Sequence, residues 1–238
     1  MIIFPAMDIK DGKCVRLYKG DFNTSQIVGE NPVDTAAKFV QEGAEYIHMV
    51  DLDGALNGET TNIKVIKQVL KEINIPLELG GGIRDMNSVE TLFDIGVTRL
   101  ILGTAALKNP GFLREAIKRY GDSIAVGIDA KDGFVALDGW INISKVDYID
   151  FAKIMEDIGV KTIIFTDVSR DGTLTGPNLK QTLKLKKAVK CDVIAAGGVK
   201  DLEDIKLLKK ENFYGVIIGK AIYSESIKLS TAIDIGKE

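Results

Sequence analysis

The sequence predicts a single (β/α)8 barrel assembled from two repeated half-barrels, near residues 1–121 and 122–238. Eight short runs rich in Ile, Val and Leu recur along the chain, each about as long as a strand buried on both faces. The spacing of these runs and several sequence motifs repeat between the two halves. The length of 238 residues also suits this fold, which typically takes roughly 250.

The predicted strands are separated widely enough for a helix to cross between parallel neighbours. Successive anchor residues lie 44, 30, 23, 24, 39, 30 and 23 positions apart. These anchors are Ile3, Ile47, Leu77, Leu100, Ile124, Ile163, Val193 and Val216. Strands that alternate with helices favour a parallel sheet. A doubly wound open sheet is the alternative, but it does not require two matching halves.

The segments between the strands carry the signals of helices. In residues 66–73 the apolar positions fall on one helical face and the charged residues lie off it. Asn31 and Asn109 each precede a proline, the usual order of an N-cap and a first helical residue. Helices should end where glycine permits a left-handed residue, at Gly43, Gly96 and Gly159.

Four motifs recur in the same order in the two halves. The pairs are residues 8–12 with 129–133, 53–54 with 171–172, 81–85 with 197–201 and 103–105 with 219–221, at offsets of 121, 118, 116 and 116. Four ordered matches indicate a duplicated half-barrel. No linker rich in Pro, Gly or Ser separates the copies, so we expect them to close into one barrel.

Composition argues against several classes of function. The net charge of −3 and the pI near 5.4 lack the basic character of a nucleic-acid-binding protein. No run approaches the roughly 18 apolar residues of a membrane helix, and the N-terminus lacks a signal peptide, so we expect a cytoplasmic protein. One histidine and two distant cysteines argue against a zinc site and a disulfide framework. We expect no cofactor and no obligate protein partner, although a carboxylate-bound metal stays open.

Glycine-containing loops after four of the strands predict two phosphate sites. Backbone N–H groups in such loops bind phosphate, and barrels often hold one after strands seven and eight. The repeat places a second site after strands three and four, on the opposite rim. The expected contacts are Gly81, Gly82, Gly103 and Thr104 on one rim, and Gly197, Gly198, Gly219 and Lys220 on the other. Such a site suits an elongated ligand with a phosphate at each end.

Asp8 and Asp129 end strands one and five, which also lie opposite each other. Two facing carboxylates suit paired acid and base catalysis if their surroundings separate their pKa values. The alternative is that each aspartate caps the loop that follows it. Asp11 and Asp132 precede glycines, and we expect them to build turns.

Other polar residues near the strand ends are candidates for substrate contact. His48 ends strand two, Thr166 takes the matching place in the second half, and Asp171 lies in the loop beyond. Trp140 lies in a long loop after strand five and is suited to stack on a flat ring. A histidine in the core and a tryptophan packed on the surface are the alternatives.

Basic residues provide further candidates. Arg16 and Arg84 suit phosphate or carboxamide groups, and the alternative is that both are solvated. Lys10 and Lys131 follow the two aspartates by two residues, so we expect them to point away from the barrel mouth rather than form a Schiff base.

Motifs along essentially the whole chain resemble one family. They are residues 5–17 (PAMDIKDGKCVRL), 48–55 (HMVDLDGA), 80–84 (GGGIR), 103–105 (GTA), 138–140 (DGW) and 166–173 (TDVSRDGT). In combination they resemble the phosphoribosylformimino-aminoimidazole carboxamide ribotide isomerases of histidine biosynthesis. Met7 stands where Ile or Leu is more usual, a swap of similar volume.

The resemblance implies a two-fold repeated barrel that works without a cofactor. It implies an Amadori rearrangement of an aminoaldose, with a phosphoribosyl group at each end, to an aminoketose. Carried over by motif, Asp8 is the base and Asp129 the acid. An acid opens the ribose ring to a protonated Schiff base, a base removes the proton at C2, and the enolamine collapses to the ketone.

Three other functions remain open at this point. The sister cyclase of the same pathway shares the repeat, both aspartates and both phosphate sites, but it uses ammonia from a partner. Residues 14–17 and the Asp-Gly-Trp loop favour the isomerase. A dual-specificity isomerase would also accept phosphoribosylanthranilate. A phosphate-binding sensor would have no need of facing carboxylates.

Overall fold

Eight parallel strands form a closed barrel in the structure, a computed structural model that describes residues 1–238. Four further strands extend two of the loops. In chain order the strands are β1 (Ile2–Lys10), β2 (Lys13–Tyr18), β3 (Asp21–Gly29), β4 (Ile47–Asp51), β5 (Leu77–Gly80), β6 (Arg99–Leu102), β7 (Ile124–Lys131), β8 (Phe134–Leu137), β9 (Asn142–Asp147), β10 (Thr162–Asp167), β11 (Asp192–Ala196) and β12 (Gly215–Ile218).

The order of the barrel strands confirms the predicted fold class. Strand β1 pairs with β4 and β12, the series continues through β5 and β6 to β7, and β7 pairs with β10 to close the ring. Strands β10, β11 and β12 complete it. Each of the eight predicted anchors lies within one barrel strand. The alternative prediction of a doubly wound open sheet is therefore wrong.

Helices surround the barrel and begin and end where the sequence predicts. The Asn31 and Asn109 side chains accept hydrogen bonds from Val33 and Phe112 N–H at 3.0 and 3.1 Å. The helices are α1 (Pro32–Gln41), α2 (Leu52–Asn57), α3 (Ile63–Glu72), α4 (Met86–Asp94), α5 (Thr104–Lys108), α6 (Pro110–Tyr120), α7 (Tyr148–Ile158), α8 (Leu179–Ala188), α9 (Leu202–Lys210), α10 (Lys220–Tyr223) and α11 (Leu229–Lys237). The predicted terminal glycines, Gly43, Gly96 and Gly159, have φ of 93°, 103° and 109°. No helix has both the length and the hydrophobicity to cross a membrane.

Two antiparallel excursions, which the sequence analysis did not predict, follow the first strand of each half. Asp11 and Gly12 turn the chain from β1 into β2, and Asp132 and Gly133 turn it from β7 into β8. The aspartates have φ of 50° and 52°, the left-handed conformation that a two-residue Asp-Gly hairpin requires. The predicted turn role of both aspartates is confirmed.

The core lies in two layers. A large apolar cluster fills the space between the barrel strands and the helices and includes Phe39, Phe151 and Phe165. A smaller cluster fills the barrel interior, where Phe4 and Ile194 are fully buried. The interior is thus a packed core. The loops at the carboxyl ends of the strands surround a cavity above this packing.

Candidate active site

The structure brings together every residue that the sequence predicts for the site. One cavity at the carboxyl ends of the barrel strands is lined by Asp8, Arg16, His48, Gly81, Gly82, Arg84, Gly103, Thr104, Asp129, Trp140, Thr166, Asp171, Gly197, Gly198, Gly219 and Lys220. Lys10 and Lys131 do not line it, as predicted, and Lys10 instead contacts Asp11 at 2.7 Å. Apolar side chains such as Ile101 and Ile164 form the floor of the cavity.

Asp8 is held by an arginine that the first excursion supplies. Arg16 lies on β2, and its Nη1 donates to Asp8 Oδ2 at 2.8 Å. Its Nη2 lies 3.8 Å from Asp171 Oδ1. The Arg16 and Asp8 side chains are only 10% and 15% exposed, so their attraction is weakly screened by water. A charge-assisted hydrogen bond of this kind is stronger than one between neutral groups, so it fixes the orientation of the Asp8 side chain.

Asp129 is held by a neutral donor that the second excursion supplies. Trp140 lies in the turn between β8 and β9, with φ of 71°, and its Nε1 donates to Asp129 Oδ2 at 2.7 Å. Burial raises the pKa of Asp129, while the Trp140 hydrogen bond and nearby His48 act in the opposite direction. The two predicted catalytic carboxyl groups therefore differ in their nearest partner: a cation for Asp8 and an indole for Asp129.

The barrel topology places Asp8 and Asp129 on opposite walls. Strand β1 carries Asp8 and β7 carries Asp129, and three barrel strands separate β1 from β7 in either direction. The same count puts β5 opposite β11 and β6 opposite β12, which are the strands that precede the glycine loops. A molecule that reaches both glycine rims would pass between the two carboxyl groups.

Asp171 adds a third carboxyl group to the cavity. Burial raises its pKa to about 6; Arg16 opposes this rise, and the charges of Asp8 and Asp129 add to it. Its sequence partner in the first half, Asp53, lies outside the cavity and accepts a hydrogen bond from the Asp11 N–H at 2.7 Å. Asp53 and Asp171 therefore match in sequence but not in their position relative to the cavity.

His48 and Thr166 do not occupy matching places, so that part of the prediction is wrong. His48 is in register with Ala6 and Glu78, whereas Thr166 is in register with Asp129, one layer nearer the mouth. The residue that matches His48 is Ile164, which pairs with Gly127 and Ile194. The cause is the position of the Asp-Gly motif, which begins two residues after the end of β4 but four residues after the end of β10, so its 118-residue offset does not apply to the strands.

The backbone conformation of the glycine loops requires glycine, independently of any role in binding. Gly81, Gly82, Gly197 and Gly198 have φ between 78° and 103°. A Cβ on Gly82 would lie 2.7 Å from the Gly54 carbonyl oxygen, and one on Gly198 would lie 2.6 Å from the carbonyl oxygen of Gly176. These glycines let each loop pack against the loop of the preceding barrel strand, and larger residues there would disturb the fold.

Gly103 and Gly219 differ from the other glycines because they begin helices. Their φ and ψ are nearly identical, at −101° and −100° for Gly103 and −105° and −97° for Gly219. Neither α5 nor α10 has a side-chain cap, so their first backbone N–H groups have no side-chain acceptor. Beside the second loop, Lys220 Nζ donates to the Gly172 carbonyl oxygen at 2.9 Å. Both rims thus offer backbone donors to an anion.

Two aspartate–asparagine pairs that the sequence analysis missed hold the neighbouring loops. Asp51 accepts hydrogen bonds from the backbone of Gly54 and Thr61 at 2.9 and 2.7 Å, and from Asn62. Asp167 accepts from Ser169 and Asn178 in the same way. The signal was available, because the 116-residue offset relates both the aspartates and the asparagines.

A buried charged pair below the cavity was also missed. Glu78 is 0% exposed and Arg99 is 6% exposed, and the Arg99 guanidinium donates two hydrogen bonds to Glu78 Oε2. Glu78 Oε1 lies 2.7 Å from His48 Nδ1. The sequence signal is a charge inside a strand predicted to be buried on both faces, since Glu78 stands between Leu77 and Leu79.

Comparisons with known proteins agree with this site. A family described as histidine biosynthesis protein matches residues 2–228. A relative from Clostridium novyi is 60% identical over 238 residues, which cover all of both chains. Relatives from Clostridium botulinum and Clostridium kluyveri are 58% identical over 99% of this chain and over 97% and 99% of theirs. All three are named as an imidazole-4-carboxamide isomerase, with two phosphoribosyl groups in the substrate name.

Proposed function

The chain belongs to the histidine biosynthesis protein family, and from that premise we propose that it is the isomerase for which its relatives are named. The reaction converts the aminoaldose N'-(5'-phosphoribosyl)formimino-5-aminoimidazole-4-carboxamide ribotide to the aminoketose. One observation carries the proposal: two carboxyl groups on opposite walls, with different partners, lie in a cavity that has a glycine loop on each rim.

In this proposal Asp8 is the base and Asp129 is the acid. The Arg16 guanidinium holds Asp8 Oδ2 at 2.8 Å, and the Asp8 carboxylate would remove the proton from C2 of the sugar. Burial raises the pKa of Asp129 and so favours the protonated form that opens the ribose ring. The order of events is protonation of the ring oxygen, formation of the Schiff base, loss of the C2 proton and collapse of the enolamine.

The two phosphate groups would bind at the two rims. The loops of Gly81, Gly82, Gly103 and Thr104 would hold one, and those of Gly197, Gly198, Gly219 and Lys220 the other. Two features support this: neither α5 nor α10 has a side-chain cap, and the relatives' substrate name contains two phosphoribosyl groups. Arg84 is exposed at the first rim and would screen the phosphate charge.

The remaining assignments complete the proposal. Trp140 would stack on the imidazole ring, because its indole lines the cavity between the two rims. We also propose that the barrel is one domain, that its substrate is a bisphosphate, and that it works without a protein partner. The cytoplasm is the compartment in which we expect it to meet its substrate.

A direct assay tests the proposed function. The purified protein is given the bisphosphate aminoaldose without ammonia and without any other protein, and formation of the aminoketose is followed by chromatography. We expect turnover under these conditions. The sister cyclase would produce none, so a lack of product would contradict the proposal. The Asp8→Asn/Asp129→Asn double variant is the control for background rearrangement.

A further inference from the structure

Glu78 is the one carboxyl group that is both fully buried in the barrel interior and in contact with a cavity residue. Its two oxygens face different partners: Oε1 lies 2.7 Å from His48 Nδ1, and Oε2 accepts from Arg99 Nε at 2.8 Å and from Arg99 Nη2. The proposed reaction does not use Glu78, which does not line the cavity. Any effect of Glu78 on the substrate must therefore act through His48 or Arg99.

The three side chains form a row at one level of the barrel. His48 on β4 is in register with Glu78 on β5, and Glu78 is in register with Arg99 on β6. Arg99 is fixed in turn by two aromatic rings, with its guanidinium carbon 4.9 Å from the Tyr46 centroid and 5.6 Å from that of Phe4. The row is therefore anchored at one end and reaches the cavity at the other, where the His48 side chain is 12% exposed.

The chemistry of this row determines which nitrogen of His48 carries the proton. A carboxylate only accepts hydrogen bonds, so the short contact with Glu78 requires a hydrogen on Nδ1. Arg99 balances the negative charge of Glu78, so the imidazole need not be cationic to satisfy it. In the neutral ring, Nε2 then has a free lone pair.

We propose that Glu78 is a positioning residue of the isomerase, which holds His48 as the Nδ1–H tautomer so that Nε2 accepts a hydrogen bond from a ribose hydroxyl group of the substrate. The assignment of the hydroxyl rests on the proposed function, whereas the tautomer does not. The second half has no such device, because the matching row is Ile164, Ile194 and Gly215. The tautomer would therefore help to distinguish the two ends of a nearly symmetric substrate.

The experiment uses the fact that His48 is the only histidine. In protein labelled with 15N-histidine, a two-bond 1H–15N spectrum shows a single imidazole and reports its tautomer. We expect the unliganded wild type to have a protonated Nδ1 and an unprotonated Nε2. A wild-type ring that is protonated at Nε2 overturns the proposal, whether or not isomerisation is observed. A missing activity with the expected tautomer contradicts only the proposed function.

Glu78→Gln is the matched variant. Its amide oxygen should turn to Arg99 and its NH2 group to His48, which makes Nδ1 an acceptor and moves the proton to Nε2. We expect this exchange in the spectrum together with a rise in KM of about tenfold, the usual effect of one lost hydrogen bond. A spectrum or a KM that stays at the wild-type value overturns the proposal.

A control distinguishes positioning from support of the fold. Ile194→Ala removes packing at the same level of the other half, where Ile194 is fully buried and does not line the cavity. It should lower the unfolding temperature while the tautomer and KM stay unchanged. An equal rise in KM for Ile194→Ala would mean that Glu78 acts only through stability, which overturns the proposal. If Glu78→Gln does not fold, the wild-type spectrum still decides the tautomer.

Discussion

The two half-barrels share their frame and differ in their interior. Each begins with a strand that carries an aspartate two residues before its end and turns at Asp-Gly into an antiparallel excursion. Each has a buried aspartate–asparagine pair after its second barrel strand, Asp51 with Asn62 and Asp167 with Asn178. These shared features position the backbone, and they therefore persist with little change between the two copies.

The side chains inside the barrel differ between the two halves, because matching positions carry different residues and therefore make different contacts. Arg16, which holds Asp8, corresponds to Leu137 in the second excursion. The charged row of His48, Glu78 and Arg99 corresponds to a row that contains only isoleucine and glycine. In the proposed reaction, duplication provides two similar rims for two phosphate groups, while the differences would allow the two carboxyl groups to perform opposite proton transfers.

The strongest test of this comparison is to remove each central carboxylate. Asp8→Asn and Asp129→Asn keep the shape and lose the acid or base, so kcat should fall by about 10²–10⁴-fold while KM changes little. Steady-state kinetics on the aminoaldose measures both. Asp11→Asn and Asp132→Asn are the matched controls, because asparagine tolerates their left-handed turns. A near-normal rate in either central variant would remove that residue from the mechanism.

The next test uses Asp171, whose sequence partner Asp53 lies outside the cavity. The folded-state pKa of about 6 lies above the ordinary 3.8, so the folded protein binds this proton more tightly than the unfolded chain does. The stabilisation is complete below the ordinary pKa and is lost as pH rises through about 6. Asp171→Asn should remove this loss, which amounts to at most about 3 kcal/mol.

Urea unfolding near pH 4 and near pH 7 measures the change. We expect the unfolding free energy of Asp171→Asn to increase relative to that of the wild type as pH rises. Asp53→Asn is the control for the loss of one loop carboxylate, because Asp53 is the sequence partner of Asp171 and lies outside the cavity. Parallel pH profiles for the wild type and Asp171→Asn would show that Asp171 does not titrate near 6.

A smaller effect should distinguish the glycines proposed to bind phosphate from those required for packing between the loops. A Cβ on Gly103 would meet nothing nearer than the Gly127 carbonyl oxygen at 3.9 Å, whereas one on Gly219 would collide with the Arg16 guanidinium. Gly103→Ala should raise KM by about tenfold, because a methyl group enters the phosphate site, and it should cost less stability than Gly82→Ala. An unchanged KM would argue against the first phosphate site. KM and the unfolding temperature are measured for Gly103→Ala, Gly219→Ala and Gly82→Ala.

The smallest expected effect concerns the indole that contacts Asp129. Trp140→Phe removes the Nε1 donor, whose hydrogen bond lowers the pKa of Asp129. The pKa should rise further, so the corresponding limb of the kcat profile should move to higher pH, with a change in kcat of about threefold to tenfold. Ile141→Ala, in the same turn and at a residue that is 67% exposed, is the control. An unmoved profile in Trp140→Phe would disconnect the indole from Asp129.

Much of the site was predictable from residue positions along the chain. The apolar anchors mark eight strands because short runs rich in Ile, Val and Leu are typical of strands buried on both faces, and a polar residue just after such a strand must lie at one end of the barrel. Asp8, Asp129 and the glycine loops follow from this rule. The excursions do not, since β3 and β9 contain only exposed or half-buried residues and lack a strong apolar pattern.

Residue spacing along the chain is enough to predict the barrel, its two-fold repeat and the wall to which each cavity residue belongs, because hydrophobic spacing and strand ends are local properties of the chain. The depth of each side chain and the identity of its partner became known only from the folded arrangement. It placed Ile164 rather than Thr166 opposite His48, brought Asp171 but not Asp53 to Arg16, and joined Glu78 to His48. Register and contact depend on how distant strands align, which spacing along one chain does not specify.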